Sequence, residues 1–249
     1  MTPVVAVVAA AAAGAAAGPW LRARIFAYSV AYGRPRRHAC PRCHHKLATT
    51  IATRLPPTGR CPGCHRRIGP AVGLVEATGA AVLALLAWAS PNMGTFAAAA
   101  WIAAFGIVLS FVDSVVHRLP DRLTMPALAG AAAILVASAV FTSGYGHLLS
   151  AVAGAIALGA FYLVMVLIRP HAIGLGDAKL ALVTGLVLGW FSLSAAIAGL
   201  IAAVLIGGVV GLLLLATRRI HPRQGFAHGP AMLLGAVLVF ALTAVGSRS

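Results

Sequence analysis

The chain has 249 residues, 61% of them hydrophobic and 9% charged, with 19 Lys and Arg against 4 Asp and Glu, for a formal charge of +15. That excludes an ordinary soluble domain, in which about 25% of residues are charged, and predicts an all-α, polytopic membrane protein. The positive charge does not indicate nucleic-acid binding, because there is no soluble basic domain to carry it.

Apolar segments at 3–20, 72–90, 94–116, 123–141, 148–168, 178–190, 194–216 and 229–246 predict eight transmembrane helices, each near the length required by a hydrocarbon core of ~30 Å. A tight turn is expected at Phe191–Leu193, between the sixth and seventh. The first run lacks a preceding positive region and is followed by Arg22 and Arg24, which favours an uncleaved anchor over a signal peptide. Eleven of the 19 Lys and Arg lie between Arg22 and Arg67, and Arg118, Arg122, Arg169, Lys179, Arg218, Arg219 and Arg223 fall in or beside alternate later loops. The intervening loops (Pro91–Met93, Thr142–His147, Phe191–Leu193) have none. This asymmetry predicts a multi-pass inner-membrane protein with its basic loops cytoplasmic and both termini outside. Three regions follow: a first transmembrane helix at 1–20, a cytoplasmic loop domain at 21–69, and a seven-helix membrane domain at 70–249.

The loop at 21–69 is too small for a strong hydrophobic core and needs a staple. Cys40-Pro-Arg-Cys43 and Cys61-Pro-Gly-Cys64 supply one: the pattern C-x2-C-x17-C-x2-C uses every cysteine in the chain. Two such knuckles predict one structural zinc held by Cys40, Cys43, Cys61 and Cys64. Disulfides are disfavoured on a cytoplasmic side. His44, His45 and His65 adjoin the cysteines and are expected to be exposed or to lie outside the ligand set.

The four carboxylates are Glu76, Asp113, Asp121 and Asp177. A carboxylate within a bilayer segment costs about 2.5–3.5 kcal/mol on insertion scales and marks a working site. Asp113 precedes the end of the third helix by about one turn, ~5 Å, and Asp177 precedes the sixth, where it is expected as N-cap. Both then lie near the cytoplasmic face. Two carboxyl groups sharing one proton can hydrolyse a peptide, one deprotonating water and the other polarising the carbonyl. Asp177, at a helix N-terminus, is the expected anion. Gly174 and Gly176 are expected to allow close backbone approach or positive φ. Lys179 is expected to neutralise Asp177 or pair with lipid phosphate. Asp121 is expected to cap the fourth helix or pair with Arg118 or Arg122. Glu76 faces either the loop domain or the surroundings of the site. Loop cations such as Arg34, Arg36 and Arg37 would meet membrane lipids. Two other functions compete: a proton-coupled transporter using intramembrane aspartates, and an adaptor whose zinc loop binds a partner.

The ordered set Cys40-x2-Cys43…Cys61-x2-Cys64, Gly73-Leu74-Val75-Glu76, Asp113 with Leu119-Pro120-Asp121-x-Leu123-Thr124-x-Pro126, Gly174-Leu175-Gly176-Asp177-Ala178-Lys179-Leu180 and Gly229-Pro230 resembles the type IV prepilin peptidases, or prepilin leader peptidases. The resemblance implies an eight-helix intramembrane aspartyl protease. It would cut a basic leader from a prepilin-like substrate after a glycine on the cytoplasmic side, with Asp113 and Asp177 as the catalytic pair. Many members also N-methylate the new terminus using S-adenosylmethionine. The chain departs from the family pattern at Val115, where a second aspartate often stands, at Leu47–Arg60, which has no carboxylate, and at His228, where an aromatic usually precedes Gly-Pro.

Overall fold

The computed structural model describes residues 3–47, 50, 53–168, 173–218 and 227–246. They form eight helices: α1 (Pro3–Tyr28), α2 (Leu74–Ala89), α3 (Met93–Val116), α4 (Asp121–Thr142), α5 (Tyr145–Ile168), α6 (Leu175–Gly189), α7 (Leu193–Ala216) and α8 (Gly229–Gly246). Among the described residues there is no strand, only the isolated bridges Ala39 to Lys46 and Arg60 to Arg67 in the cysteine loop. The long apolar runs become helices because lipid offers no partner for backbone N–H and C=O groups.

Five helices, Val4–Tyr28, Met93–Val116, Asp121–Thr142, Tyr145–Ile168 and Leu193–Ala216, are long and apolar enough to cross a membrane. The other three are shorter. α2 has 16 residues, α6 has 15 and α8 has 18. α6 is an internal helix, with Ala178, Leu180, Ala181, Val183, Thr184 and Leu186 all buried. Its neighbours pack closely: Gly154 of α5 meets Gly185 of α6 backbone to backbone, as Gly14 of α1 meets Gly79 of α2, with no room for a Cβ at either crossing. Such approaches supply the dispersion contacts that hold helices together where lipid removes the hydrophobic driving force. Large apolar side chains on the outer faces, including Leu149, Leu167, Leu205 and Leu212, are exposed, as expected of a surface solvated by lipid.

The first helix does not end at 20; it runs through Pro19 to Tyr28. Arg22 and Arg24, read from the sequence as loop residues, are buried within it. Arg22 is neutralised by Glu76: its Nε donates to Oε1 and its Nη2 to Oε2, both at 2.7 Å. It also donates to the carbonyls of Pro70 and Ala71 at 3.0 and 2.8 Å. Arg24 donates to Thr50 O at 2.7 Å and lies over the Trp20 ring. Glu76 therefore faces the loop region, and its bidentate pair joins α1, α2 and the chain entering α2.

The Arg22 side chain is 2% exposed and that of Glu76 17%, and a cation left buried without its anion is costly. Glu76→Ala should destabilise the fold by about 3–5 kcal/mol, read as a lowered melting temperature in detergent. The double substitution Arg22→Met with Glu76→Leu should recover most of the loss.

Candidate active site

α3 ends in His117, whose left-handed conformation (φ 51°, ψ 48°) turns the chain sharply, with its N–H closing on Asp113 O at 2.8 Å. Arg118, Leu119 and Pro120 then run across the start of α6, and Pro120, extended at φ −72° and ψ 131°, caps α4. The crossing is tight: a Cβ on Gly176 would stand 2.8 Å from Leu119 Cβ. Gly176 thus permits one helix start to meet the loop leaving another.

The junction forms one wall of a cavity of about 980 Å³. The C-terminal ends of α1 and α3 and the N-terminal ends of α4, α6 and α8 converge on it, and Asp113, Asp121, Asp177 and His228 all line it. Asp113 is 5% exposed, on the last turn of α3. Its Oδ2 accepts the Gly229 N–H, at the start of α8, at 3.0 Å. Asp177 is not the N-cap; Gly174 is, at φ −89° and ψ 153°. Asp177 sits three residues on, donating its own N–H to Gly174 O and accepting the Gly174 N–H at Oδ2, both at 3.0 Å. The cap position went to glycine because this side chain reaches back from the first turn, the reciprocal half of a capping box. Gly174 needs no positive φ. Both carboxylates, 64 positions apart in the chain, line the one cavity.

Lys179 pairs with Asp121, Nζ to Oδ1 at 2.6 Å, and not with Asp177. Asp121 accordingly pairs with neither Arg118 nor Arg122, and as the first residue of α4 it follows the cap rather than forming it. The ion pair ties the first turn of α4 to the first turn of α6. Glu76 does not line this cavity.

Gly229, His228 and Tyr162 also belong to the site. Tyr162, buried on α5, bonds through its hydroxyl to His228 Nε2 at 2.9 Å. The imidazole lies against Gly207 of α7, where a Cβ would come 2.8 Å from Nδ1. Burial holds the His228 pKa below the ordinary imidazole value, against the pull of Asp177. The Gly-Pro start of α8 signals Gly229 in the sequence; nothing local marks Tyr162, which reads as one more apolar-face aromatic.

The four cysteines form a separate centre. Their sulfurs all lie within 4.8 Å of one another, with Cys40 to Cys64 at 3.7 Å and Cys43 to Cys61 at 3.6 Å. Four thiolates at ~2.3 Å from a tetrahedral ion have edges of about 3.8 Å, so the donor set fits a metal ion. The knuckles repeat one geometry: the N–H of His44 closes on Cys40 O and that of His65 on Cys61 O, both histidines with φ 55°. These histidines serve as left-handed turn residues and are exposed. N–H groups of Cys43 and Arg42 hold the Cys40 thiol down to about 6. Cys43 receives a lowering bond from His45, yet desolvation and the neighbouring sulfurs push it up to about 12.

The sequence model of the Type IV leader peptidase family matches residues 100–216. The prepilin leader peptidase/N-methyltransferase of Aeromonas salmonicida (strain A449) is 30% identical over 206 residues, 80% of this chain and 68% of the relative. The chain belongs to the type IV leader peptidase family. The similarly named protein of Burkholderia pseudomallei (strain 1026b) is 32% identical over 206 residues, 80% of this chain and 65% of its own. That of Neisseria gonorrhoeae is 27% identical over 214 residues, 81% and 69%. No solved structure matches the chain. In this leader peptidase family member the matched segment runs from α3 to α7 and includes Asp113, Asp121, Asp177 and Lys179.

The contact at Gly176 sets how closely α6 approaches the 118–120 loop. Gly176→Ala should force the two apart, costing about 1–3 kcal/mol. The check is a fall in melting temperature with faster proteolysis near Arg118–Arg122, neither of which should follow Gly146→Ala, where a Cβ meets open space.

Proposed function

We propose that this protein is a membrane aspartyl endopeptidase that removes the leader of a prepilin-like substrate, with Asp113 and Asp177 jointly activating the attacking water. The observation that carries the reading is that both carboxylates line one cavity, each accepting a single backbone N–H at a helix start. Held by one bond each, they keep lone pairs for water and substrate. The pair shares one proton, because two like charges this close do not both ionise cheaply. The ionised carboxylate takes a proton from water as its oxygen attacks the scissile carbonyl carbon. The protonated carboxyl gives its proton to the carbonyl oxygen. The tetrahedral intermediate collapses, the C–N bond breaks, and a proton passes to the departing amine. The Lys179–Asp121 pair and Gly174 position α6, while Gly229 positions Asp113.

Orientation follows from charge. The cavity is ringed by Arg34, Arg36, Arg118, Arg122 and Lys179, so by the positive-inside rule its mouth faces the cytoplasm. The substrate's apolar segment would lie in the bilayer while its leader enters the cavity. In this reading 70–249 carries catalysis, and the loop that follows α1, 29–69, is folded on one zinc by Cys40, Cys43, Cys61 and Cys64. A four-thiolate site is closed and structural, and its ligands give up protons as the ion binds. The relatives' names add an N-methyltransferase. Methylation of the released amine from S-adenosylmethionine is carried over from those names, and no residue of this chain is assigned to it.

Asp113→Asn and Asp177→Asn should each lower cleavage of a prepilin-like substrate at least about a hundredfold, with helical content and melting temperature retained. Mass spectra of the products read leader removal and methylation together. Retained cleavage by Asp177→Asn would falsify the dyad.

Elemental analysis of the purified protein should give one zinc per chain. Cys61→Ser should lose the ion and expose 29–69 to proteolysis while α3 to α8 remain helical, as read by circular dichroism.

A further inference from the structure

Asp113 and Asp177 are held in different ways. Asp177 is fixed by the start of its own helix, through Gly174 three residues away. The Asp113 carboxyl depends on another helix. Its one hydrogen bond among the described residues comes from Gly229, 116 positions on, at the start of α8. That bond sets how the carboxyl is turned about its Cβ–Cγ axis, and so where its second oxygen faces. What fixes Asp113 is therefore whatever fixes Gly229. The residue before it, His228, begins the hydrogen-bond ladder of α8, its carbonyl accepting the Met232 N–H at 3.1 Å. The His228 side chain is gripped by two further helices. Tyr162 of α5, 2% exposed, is hydrogen-bonded through its hydroxyl to Nε2 at 2.9 Å. The Nδ1–Cε1 edge of the ring lies on Gly207 of α7, where a Cβ would come 2.8 Å from Nδ1 and 2.9 Å from Cε1. His228 lines the cavity of the two aspartates, whereas Tyr162 lies behind it and does not.

We infer that the Tyr162–His228 hydrogen bond is a positioning device for Asp113: it fixes the start of α8, and with it the Gly229 N–H that aims the Asp113 carboxyl at the attacking water. Tyr162 and His228 are positioning residues here, acting on the reaction through Gly229. A buried hydroxyl and imidazole that satisfy each other have one preferred arrangement, because separating them leaves both unpaired. The first residue of α8 cannot slide or turn without breaking that bond. Catalysis is steep in geometry, a misplacement of about 1 Å costing on the order of a hundredfold. The inference rests on the leader-peptidase reading above and adds to it the line of contacts from α5 to the reacting carboxyl. Packing alone would not need the Tyr162 hydroxyl, and this is what separates positioning from mere filling of space.

The test uses the full-length protein in phosphatidylcholine nanodiscs. One readout is kcat and KM on a prepilin-like substrate. The other is amide hydrogen exchange at Gly229 and Met232, read by mass spectrometry on a peptide covering 228–232. Tyr162→Phe keeps the ring and removes only the hydroxyl. It should lower kcat about tenfold with KM within about twofold, and speed exchange about tenfold. His228→Phe should do the same, and the double substitution should be no worse than either alone, since both remove one bond. His228→Gln, whose side-chain amide can reach the hydroxyl, should restore most of kcat and of the protection. Gly207→Ala, which crowds the ring, should behave like Tyr162→Phe, whereas Gly208→Ala, where a Cβ meets open space, should behave like the wild type. Undiminished kcat in Tyr162→Phe overturns the inference. So does a loss that appears in KM alone, losses that multiply in the double variant, or a His228→Gln protein no better than His228→Phe. Exchange that ranks as expected in a protein that cleaves no prepilin-like substrate sinks the peptidase reading and leaves the placement of Asp113 standing. Cleavage by the wild type with exchange unchanged across the variants sinks this inference alone.

Discussion

A single hydrogen bond, from Gly229 N–H to Asp113 Oδ2 across 116 residues of sequence, organises the working end of this bundle. Asp113 projects from the C-terminal turn of α3, where the helix dipole disfavours negative charge. The start of α8 turns that environment around by presenting an N–H and its own positive end. Asp177 receives the same treatment from Gly174 at the start of α6, and Asp121 sits in the first turn of α4. Three helix N-termini therefore point at one cavity, and each carries or receives one aspartate. A negatively charged site next to lipid becomes tolerable because the fold brings its positive backbone ends to the same place.

Close packing makes that convergence possible. Gly176 lets Leu119 lie on the first turn of α6, and the Lys179–Asp121 pair ties the same two elements at the surface. On the other side of α6, Gly154 and Gly185 bring α5 close enough for Tyr162 to reach His228. A short α6, capped by Gly174 and ending before Trp190, fits between longer helices without needing to span the hydrocarbon alone. The Glu76–Arg22 pair does analogous work at α1 and α2, where a bidentate salt bridge and two carbonyls let a helix carry a buried arginine.

Most of the helix pattern was legible in the sequence because lipid imposes a one-dimensional rule: about twenty apolar residues make a span. Seven of the eight expected segments match the observed helices to within a few residues at each end. α1 is the exception. The rule reads charge as loop, and Arg22 and Arg24 remain helical because partners distant in sequence neutralise or accept from them. The cysteine centre was equally legible, since C-x2-C spacing dictates where sulfurs fall within a knuckle whatever surrounds it.

The pairings of the remaining charges were not legible. Lys179 lies two residues from Asp177 but binds Asp121, and Glu76 left the site for Arg22. The sequence alone determined which residues are costly to bury: four carboxylates in an apolar chain, and four thiols whose spacing gathers them into one cluster that could hold a metal. Tertiary structure decided which of those carboxylates are spent on holding helices together and which face open space, and it brought Gly229, His228 and Tyr162 to the latter. The physical reason is range. Hydropathy and knuckle spacing act over a few residues of chain, whereas charge and hydrogen-bond partnership act over a few ångströms of space, and only packed helix ends decide which distant groups share those ångströms.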